Sequence, residues 1–325
     1  MYDLIFTVGQ KILKGGFVTK SEALQISQAT GADIYLLAGI ASIIREHYYG
    51  NNIDLCSIIN AKSGNCSQDC KFCAQSSFHD CAIKTYPLLD EETIIEYAHT
   101  MELSGTKRFS IVISGRGVTE YDPDFRAILK IVHRLKKETN LVLCASLGEL
   151  TEEAAQMLKS AGLFRYHHNL ETSEDFFPQI VTTHSYRDRI QTLRFARMAG
   201  MEICCGGIIG LGESMEQRIE LAFALRDLKV DSIPINILNV VPGILLEHEK
   251  PLSPLEIIKT MALYRFILPR TNIRCAGGRE KHLGSLQSIG IMAGMNGMMI
   301  GDYLTTSGRS ALEDIKMLHD MGFNY

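Results

Sequence analysis

Three cysteines stand close together in Cys66-Ser-Gln-Asp-Cys70-Lys-Phe-Cys73. The loop follows the apolar run Leu55–Asn60, so the three thiols leave the end of one expected strand together. Three thiolates can hold three irons of a [4Fe–4S] cube and leave the fourth iron open. An open iron can bind and reduce a small molecule, whereas a fully ligated cluster only passes electrons on. An aromatic residue, Phe72, precedes the last thiol. Zinc is the competing occupant. It usually takes a fourth Cys or His close by, and His79 and Cys81 follow the loop.

A second set of residues has the types that bind small molecules. Gly206, Gly207, Gly210 and Gly212 cluster after a strand-like run, where bare backbone lets a flat ligand approach. Beside the cysteine loop, the segment Cys204–Glu213 becomes a candidate adenosine site. His167-His168-Asn169-Leu170-Glu171 ends another strand with groups that could hydrogen-bond a ribose or a cyclic urea. Asn236 ends a third, and Thr305 and Thr306, near the chain's end, suit a carboxylate. Cys81, Cys144, Cys204, Cys205 and Cys275 are further thiols, and several converging on one interior would make a second metal site. Neighbours on a strand face opposite ways. Cys204 and Cys205 therefore cannot both point inward while the strand continues, nor can Arg274 and Cys275. Met292, Met295, Met298 and Met299 read as core packing.

The elements that must position these residues alternate in type after residue 50. Strand-like runs fall at Leu55–Asn60, Arg108–Ile113, Leu141–Ala145, Phe164–His168, Glu202–Gly206, Ser232–Leu238, Asn272–Ala276 and Gly297–Gly301. Amphipathic helical patterns lie between them, from Glu91–Leu103 to Lys281–Ala293. This alternation predicts a parallel (β/α)8 barrel over residues 51–325, with chemistry at the C-terminal ends of its strands. A six-stranded open sheet is the alternative. Residues 1–50 carry two helical patterns, Lys20–Gln28 and Ile34–Tyr48, and read as a helical cap outside the barrel.

Composition narrows the class. The formal net charge of −4 gives no reason to expect nucleic acid, and Arg134-Leu-Lys136-Lys137 reads as a solvated helix face. Met1-Tyr2-Asp3-Leu4 has no basic start before an apolar run, and no apolar stretch is long enough for a bilayer. A cytoplasmic chain keeps thiols reduced. Its nine cysteines, an odd number, then suit metal clusters better than disulfides.

The cysteine spacing is the signature of radical S-adenosylmethionine (SAM) enzymes, and the whole chain resembles the biotin synthase family. The resemblance rests on CSQDCKFCAQS, RYHHNLETS, VTTHSYRDR, CCGGIIGLGES, DSIPIN, IRCAGGRE and GDYLTT, in the family's order and spacing. It implies that Cys66, Cys70 and Cys73 ligate a cube whose open iron takes the amino and carboxylate groups of SAM. It implies that Gly206, Ile208, Gly210 and Glu213 lie on the adenosine side, that Asn169 and Glu171 contact the ribose, and that Arg189 pairs with the SAM carboxylate. Asn169 and Asn236 would face the ureido ring of dethiobiotin, and Thr305 and Thr306 its carboxylate. A flavodoxin- or ferredoxin-type electron donor and a homodimer are further implications. The related hydrogenase-maturase type, without sulfur insertion, and a non-catalytic iron–sulfur or zinc protein are the competing readings.

The chain departs from the family at the auxiliary cluster. The better-known members hold a [2Fe–2S] cluster with three cysteines and an arginine, and Cys144, Cys204 and Arg274 match three of those positions. The fourth is Ser110 here, and serine is a poor iron ligand beside thiolate. The expectation is a remodelled site using Cys81, Cys144, Cys204 and Cys275, with Cys205 or Arg274 as alternates. Four thiolates would suit a four-iron cluster better than a two-iron one.

Overall fold

Strand pairing closes into a ring in the computed structural model, which describes residues 1–325. β1 (Asp54–Lys62) pairs with β2 (Arg108–Ile113) on one side and β8 (Gly297–Met299) on the other. Between them run β3 (Val142–Ser146), β4 (Arg165–His167), β5 (Glu202–Cys204, resumed at Gly207–Ile209), β6 (Ser232–Ile237) and β7 (Asn272–Cys275). Every neighbouring pair is parallel, and β6–β7 and β8–β1 complete the circuit. The expected eight-stranded barrel is thus formed, and an open sheet is excluded. No helix is long and apolar enough to cross a membrane.

Alternation sorts the strand residues into two environments. Phe109 and Ile111 of β2, Leu143 and Ala145 of β3, Ile233 and Ile235 of β6, and Ile273 and Cys275 of β7 pack outward beneath the helices. Cys56, Ile58, Val112, Ala276 and Met299 form a separate cluster inside the barrel. Following the paired residues once round the ring from Cys56 arrives eight positions lower on the line of β1, the stagger of this barrel class. A plane across the axis therefore climbs one residue per strand, and alternate strands fill alternate planes. One plane contains Cys56, Cys144, Cys204 and Arg274, from β1, β3, β5 and β7. The plane below takes Arg108, Arg165, Ser232 and Gly297, and the plane above Ser110, His167, Pro234 and Met299.

The first three helices, Tyr2–Leu13, Lys20–Ile26 and Ala32–Tyr49, lie outside the ring against Met215–Asp227 and Pro254–Ile267. Their apolar faces merge with the outer core, for Ile5, Ile12, Leu37 and Ile44 belong to the same cluster as Ile257 and Met261. A capping box between Thr19 and Glu22 starts the second of them. The pattern expected to run over Lys281–Ala293 is broken in the structure. Gly284, at φ +49°, separates Arg279–Leu283 from the turn and short helix that follow. The C-terminal helix Ala311–Asp320, which no expectation covered, returns to the barrel through a fully buried ion pair. Arg279 Nη2 lies 2.8 Å from Asp314 Oδ2, and both side chains are 0% exposed.

Candidate active site

A cavity of about 400 Å³ opens at the C-terminal ends of the strands. Cys66, Cys70, Phe72 and Cys73 form one wall, and Asn169, Glu171, Arg189 and Ile208 another. Asn236, Thr305 and Thr306 line the far side, and Arg274 reaches it from below. The volume suits a small organic ligand. Burial pushes the Cys70 thiol up to about 12 and the Cys73 thiol up to about 11. Both therefore stay protonated unless a metal supplies positive charge. Backbone N–H groups of Gln75 and Ser76 point at the Cys73 sulfur, an environment made for a thiolate.

The loop that carries these thiols is fastened to the segment before helix Tyr186–Met198. The Asp69 carboxylate accepts from Thr182 N at 3.0 Å and from Thr183 Oγ1 at 2.9 Å. Neighbouring Gln68 accepts from His184 Nδ1 at 2.8 Å. Arg189 Nε in turn donates to His184 Nε2 at 3.1 Å, and Arg189 Nη1 to the Asn169 carbonyl at 2.8 Å. His184 accepts at Nε2, so its proton sits on Nδ1. Burial, then the Arg189 charge, pulls its pKa down to about 4. The chain Gln68–His184–Arg189–Asn169 couples the cysteine loop to the end of β4. Sequence reading singled out Arg189 and Asn169 but missed Gln68, Asp69 and His184. The available signal was that two of these sit inside the cysteine spacing itself.

Glu171 follows β4 with φ +68°, in the left-handed region unusual for a residue with a side chain. Its carboxylate lies 3.7 Å from Arg189, and burial raises its pKa while Arg189 opposes that shift. Glu171 Oε2 has no hydrogen-bond partner in the protein, so it is a buried acceptor aimed at the cavity wall. The glycine motif has a packing role. A Cβ on Gly206 would stand 2.1 Å from the Pro234 carbonyl oxygen, and one on Gly207 would stand 2.2 Å from that of Glu171. These glycines let β5 close against β6 and against the backbone of Glu171. Ile208 faces the cavity, whereas Gly206, Gly210 and Glu213 do not line it. Glu213 instead accepts from Gly210 N at 2.8 Å and Leu211 N at 2.6 Å and pairs with buried Arg218, so it shapes the turn. Asn236 Oδ1 accepts from Gly277 N at 3.0 Å, which fixes its orientation on the rim.

The expected auxiliary ligands separate by strand parity. Cys144 and Cys204 both point into the barrel, with Arg274 in the same plane. Cys275 follows Arg274 directly and faces outward, buried in the helical layer, where burial pushes its thiol up to about 12. Cys205 is outward for the same reason, beside Cys204. Cys81 lies on the loop outside the cavity, its Cα packed close to Gly243. The structure therefore does not bring Cys81, Cys205 or Cys275 together with Cys144 and Cys204, and the expected four-thiolate set is corrected. Ser110 also faces inward, one plane higher, and its hydroxyl has no partner. No three Cys, His, Asp or Glu side chains converge tightly enough to enclose a single ion. A cube places each thiolate on a different iron, so the Cys66, Cys70 and Cys73 wall fits it better than it fits zinc. His79 is also engaged, its Nδ1 being 2.8 Å from the Cys73 carbonyl.

Comparison with known proteins gives this geometry a family. Residues 61–225 match the model of the radical SAM superfamily, and residues 234–324 that of the biotin and thiamin synthesis associated domain. The chain is thus a radical SAM barrel protein. It is 54% identical over 322 residues to the biotin synthase of Carboxydothermus hydrogenoformans, covering 99% of each chain. It is 53% identical over 324 residues to that of Clostridium acetobutylicum, covering 100% of this chain and 99% of the other. The chain belongs to the biotin synthase family. Among solved structures, methylornithine synthase superposes with a TM-score of 0.85 at 20% identity, over 98% of this chain and 96% of that one. The FeFe-hydrogenase maturase of Carboxydothermus hydrogenoformans follows at 0.82 and 19%, over 98% and 78%. At such identities these two establish the fold alone.

Proposed function

We infer that the chain is the enzyme that inserts sulfur into dethiobiotin in a radical SAM reaction. One observation carries the inference. The three-thiol loop, the Arg189–Glu171 wall and the Thr305–Thr306 rim open on one cavity, in a chain alike to biotin synthases over its full length. When bound, the cube supplies the electron that cleaves SAM to methionine and a 5′-deoxyadenosyl radical, and an auxiliary iron–sulfur cluster supplies the sulfide.

The chain's own residues bind, orient and shield. Arg189, already positioned by His184 and the Asn169 carbonyl, offers its guanidinium to the SAM carboxylate. Glu171 Oε2, a buried acceptor without a donor, takes a ribose hydroxyl. Phe72 and Ile208 provide apolar surface for the base. Asn236 presents its amide to the ureido ring, and Thr305 and Thr306 donate to the carboxylate tail. The barrel holds radical, C–H bond and sulfide source in line and excludes water. A flavodoxin- or ferredoxin-type protein as electron donor and a homodimer belong to the same proposal.

The test is an anaerobic single-turnover assay with SAM, dithionite and dethiobiotin. Biotin formation is expected. Deoxyadenosine without biotin would assign the chain to SAM cleavage without sulfur insertion. No SAM cleavage under strong reduction would leave only a non-catalytic cluster protein.

A further inference from the structure

The plane that holds Cys144, Cys204 and Arg274 has a fourth corner, and it is filled by Cys56 of β1. This cysteine lies inside the barrel with Ile58, Val112 and Met299, unlike Cys275 and Cys205. The Arg274 guanidinium lies beside both Cys56 and Cys204. Two planes of side chains thus meet around these thiols.

Polar groups here are left without partners. Nη1 of Arg108 and Nη1 of Arg165 are buried and make no hydrogen bond, and the Arg165 side chain is only 1% exposed. Their other nitrogens are used, Arg108 by Asp54 at 2.7 Å and Arg165 by Glu202 at 2.9 Å. Asp54 also takes Arg274 at 2.9 Å. Three guanidiniums therefore face two carboxylates, and one positive charge in these planes stays uncompensated. Buried donors without acceptors and an excess of positive charge call for an anion. Thiolates carrying an iron–sulfur cluster are such an anion, and iron prefers thiolate to a serine oxygen.

We propose that Cys56 supplies the third thiolate of the auxiliary iron–sulfur cluster, beside Cys144, Cys204 and Arg274, in place of the thiolate missing at Ser110. The proposal rests on the sulfur-insertion reading, which requires such a cluster. Moving the ligand from β2 to β1 conserves the number of thiolates. It shifts one ligand from the plane of Ser110 down into the plane of Cys144 and Cys204.

The test compares anaerobically reconstituted full-length wild type, Cys56→Ser, Cys275→Ser and the double variant Cys56→Ser/Ser110→Cys. Iron and acid-labile sulfide are counted, and Mössbauer spectra resolve the two clusters. Wild type and Cys275→Ser should hold iron beyond the cube, whereas Cys56→Ser should fall to about four irons per chain. The double variant should recover the second cluster, because it returns a thiolate to the family's usual position. The change in the reduced cube's EPR signal on adding SAM reports that each variant is folded. If Cys56→Ser loses both clusters, the double variant decides: recovery of the second cluster supports the proposal, and its continued absence overturns it. An unchanged iron count and spectrum in a folded Cys56→Ser protein also overturns it. Wild type holding only the cube would overturn the sulfur-donor reading itself, a separate failure.

Discussion

Removing Asp314 tests how the rim that carries the proposed substrate threonines is anchored. In Asp314→Ala, the Arg279 guanidinium stays buried at 0% exposure and loses contacts of 2.8 and 3.1 Å. Breaking a buried ion pair on one side costs about 3–5 kcal/mol. Arg279 keeps Glu280 Oε1 at 2.9 Å and Gln287 Oε1 at 2.5 Å, which places the cost near the lower end, about 3 kcal/mol. With an unfolding entropy of about 2.1 cal/mol/K per residue, a chain of this length converts that into a fall in Tm of about 4–5 °C. Anaerobic thermal unfolding followed by circular dichroism measures it. The double variant Arg279→Leu/Asp314→Ala removes both charges and should recover part of the loss, because no uncompensated buried guanidinium then remains. A fall below about 1 °C in the single variant, or a double variant less stable than the single one, would refute the reasoning. Glu280 also accepts from Tyr303, which lines the cavity two residues before Thr305. Loosening this corner should therefore raise the KM for dethiobiotin more than it lowers kcat.

Further expectations concern the cavity walls. Gly207→Ala places a methyl 2.2 Å from the Glu171 carbonyl and should weaken SAM binding at least about tenfold by calorimetry, equivalent to about 1.4 kcal/mol; unchanged affinity would contradict the packing role given to that glycine. His184→Gln should weaken SAM binding while leaving the iron content of the cube unchanged, since the relay it interrupts touches Gln68 and not a cysteine. Because the folded protein holds His184 at about 4, below its usual 6.5, the unfolded chain binds more protons between those values. The stability His184 contributes is therefore present above pH 6.5 and is lost as pH falls towards 4; denaturant titrations of His184→Gln should show a shallower acid decline than wild type. Thr305→Val and Thr306→Val should each raise the KM for dethiobiotin about tenfold or more, as loss of one charged hydrogen bond costs about 1.5–3 kcal/mol; an unchanged KM would remove them from the carboxylate site.

The barrel was legible because β-strand runs and helical patterns alternate so regularly. Observed strands such as Arg108–Ile113 coincide with the expected ones. Helix breaks were less legible. Gly284 interrupts a pattern whose apolar spacing continues through it, and backbone conformation rather than periodicity decides that point. The cysteine loop announced itself through spacing, since its ligands are local in sequence. The proposed auxiliary site did not, because its candidate members come from four strands and only pairing register shows which of them share a plane. Parity already warned against Cys275 beside Arg274 and Cys205 beside Cys204. Nothing in composition marked Cys56, whose significance depends on partners far along the chain. Likewise the packing roles of Glu213 and Gly206 were hidden, since Glu213 shapes the turn after Ile208 and Gly206 lets β5 close against β6.

The stacked planes inside the barrel also impose an order of events. The plane of Cys56, Cys144 and Cys204 is 4% exposed or less, and the Arg108–Asp54–Arg274 bridges brace the layer beneath it. The cavity at the strand ends, reached at Arg274, is its approach. On the sulfur-insertion reading, sulfide delivered through that cavity would share its space with SAM and dethiobiotin. Along that route, replenishment would follow the departure of product, methionine and deoxyadenosine. A shared corridor of this kind would make resupply and catalysis alternate, and excess SAM would then slow recovery after each turnover.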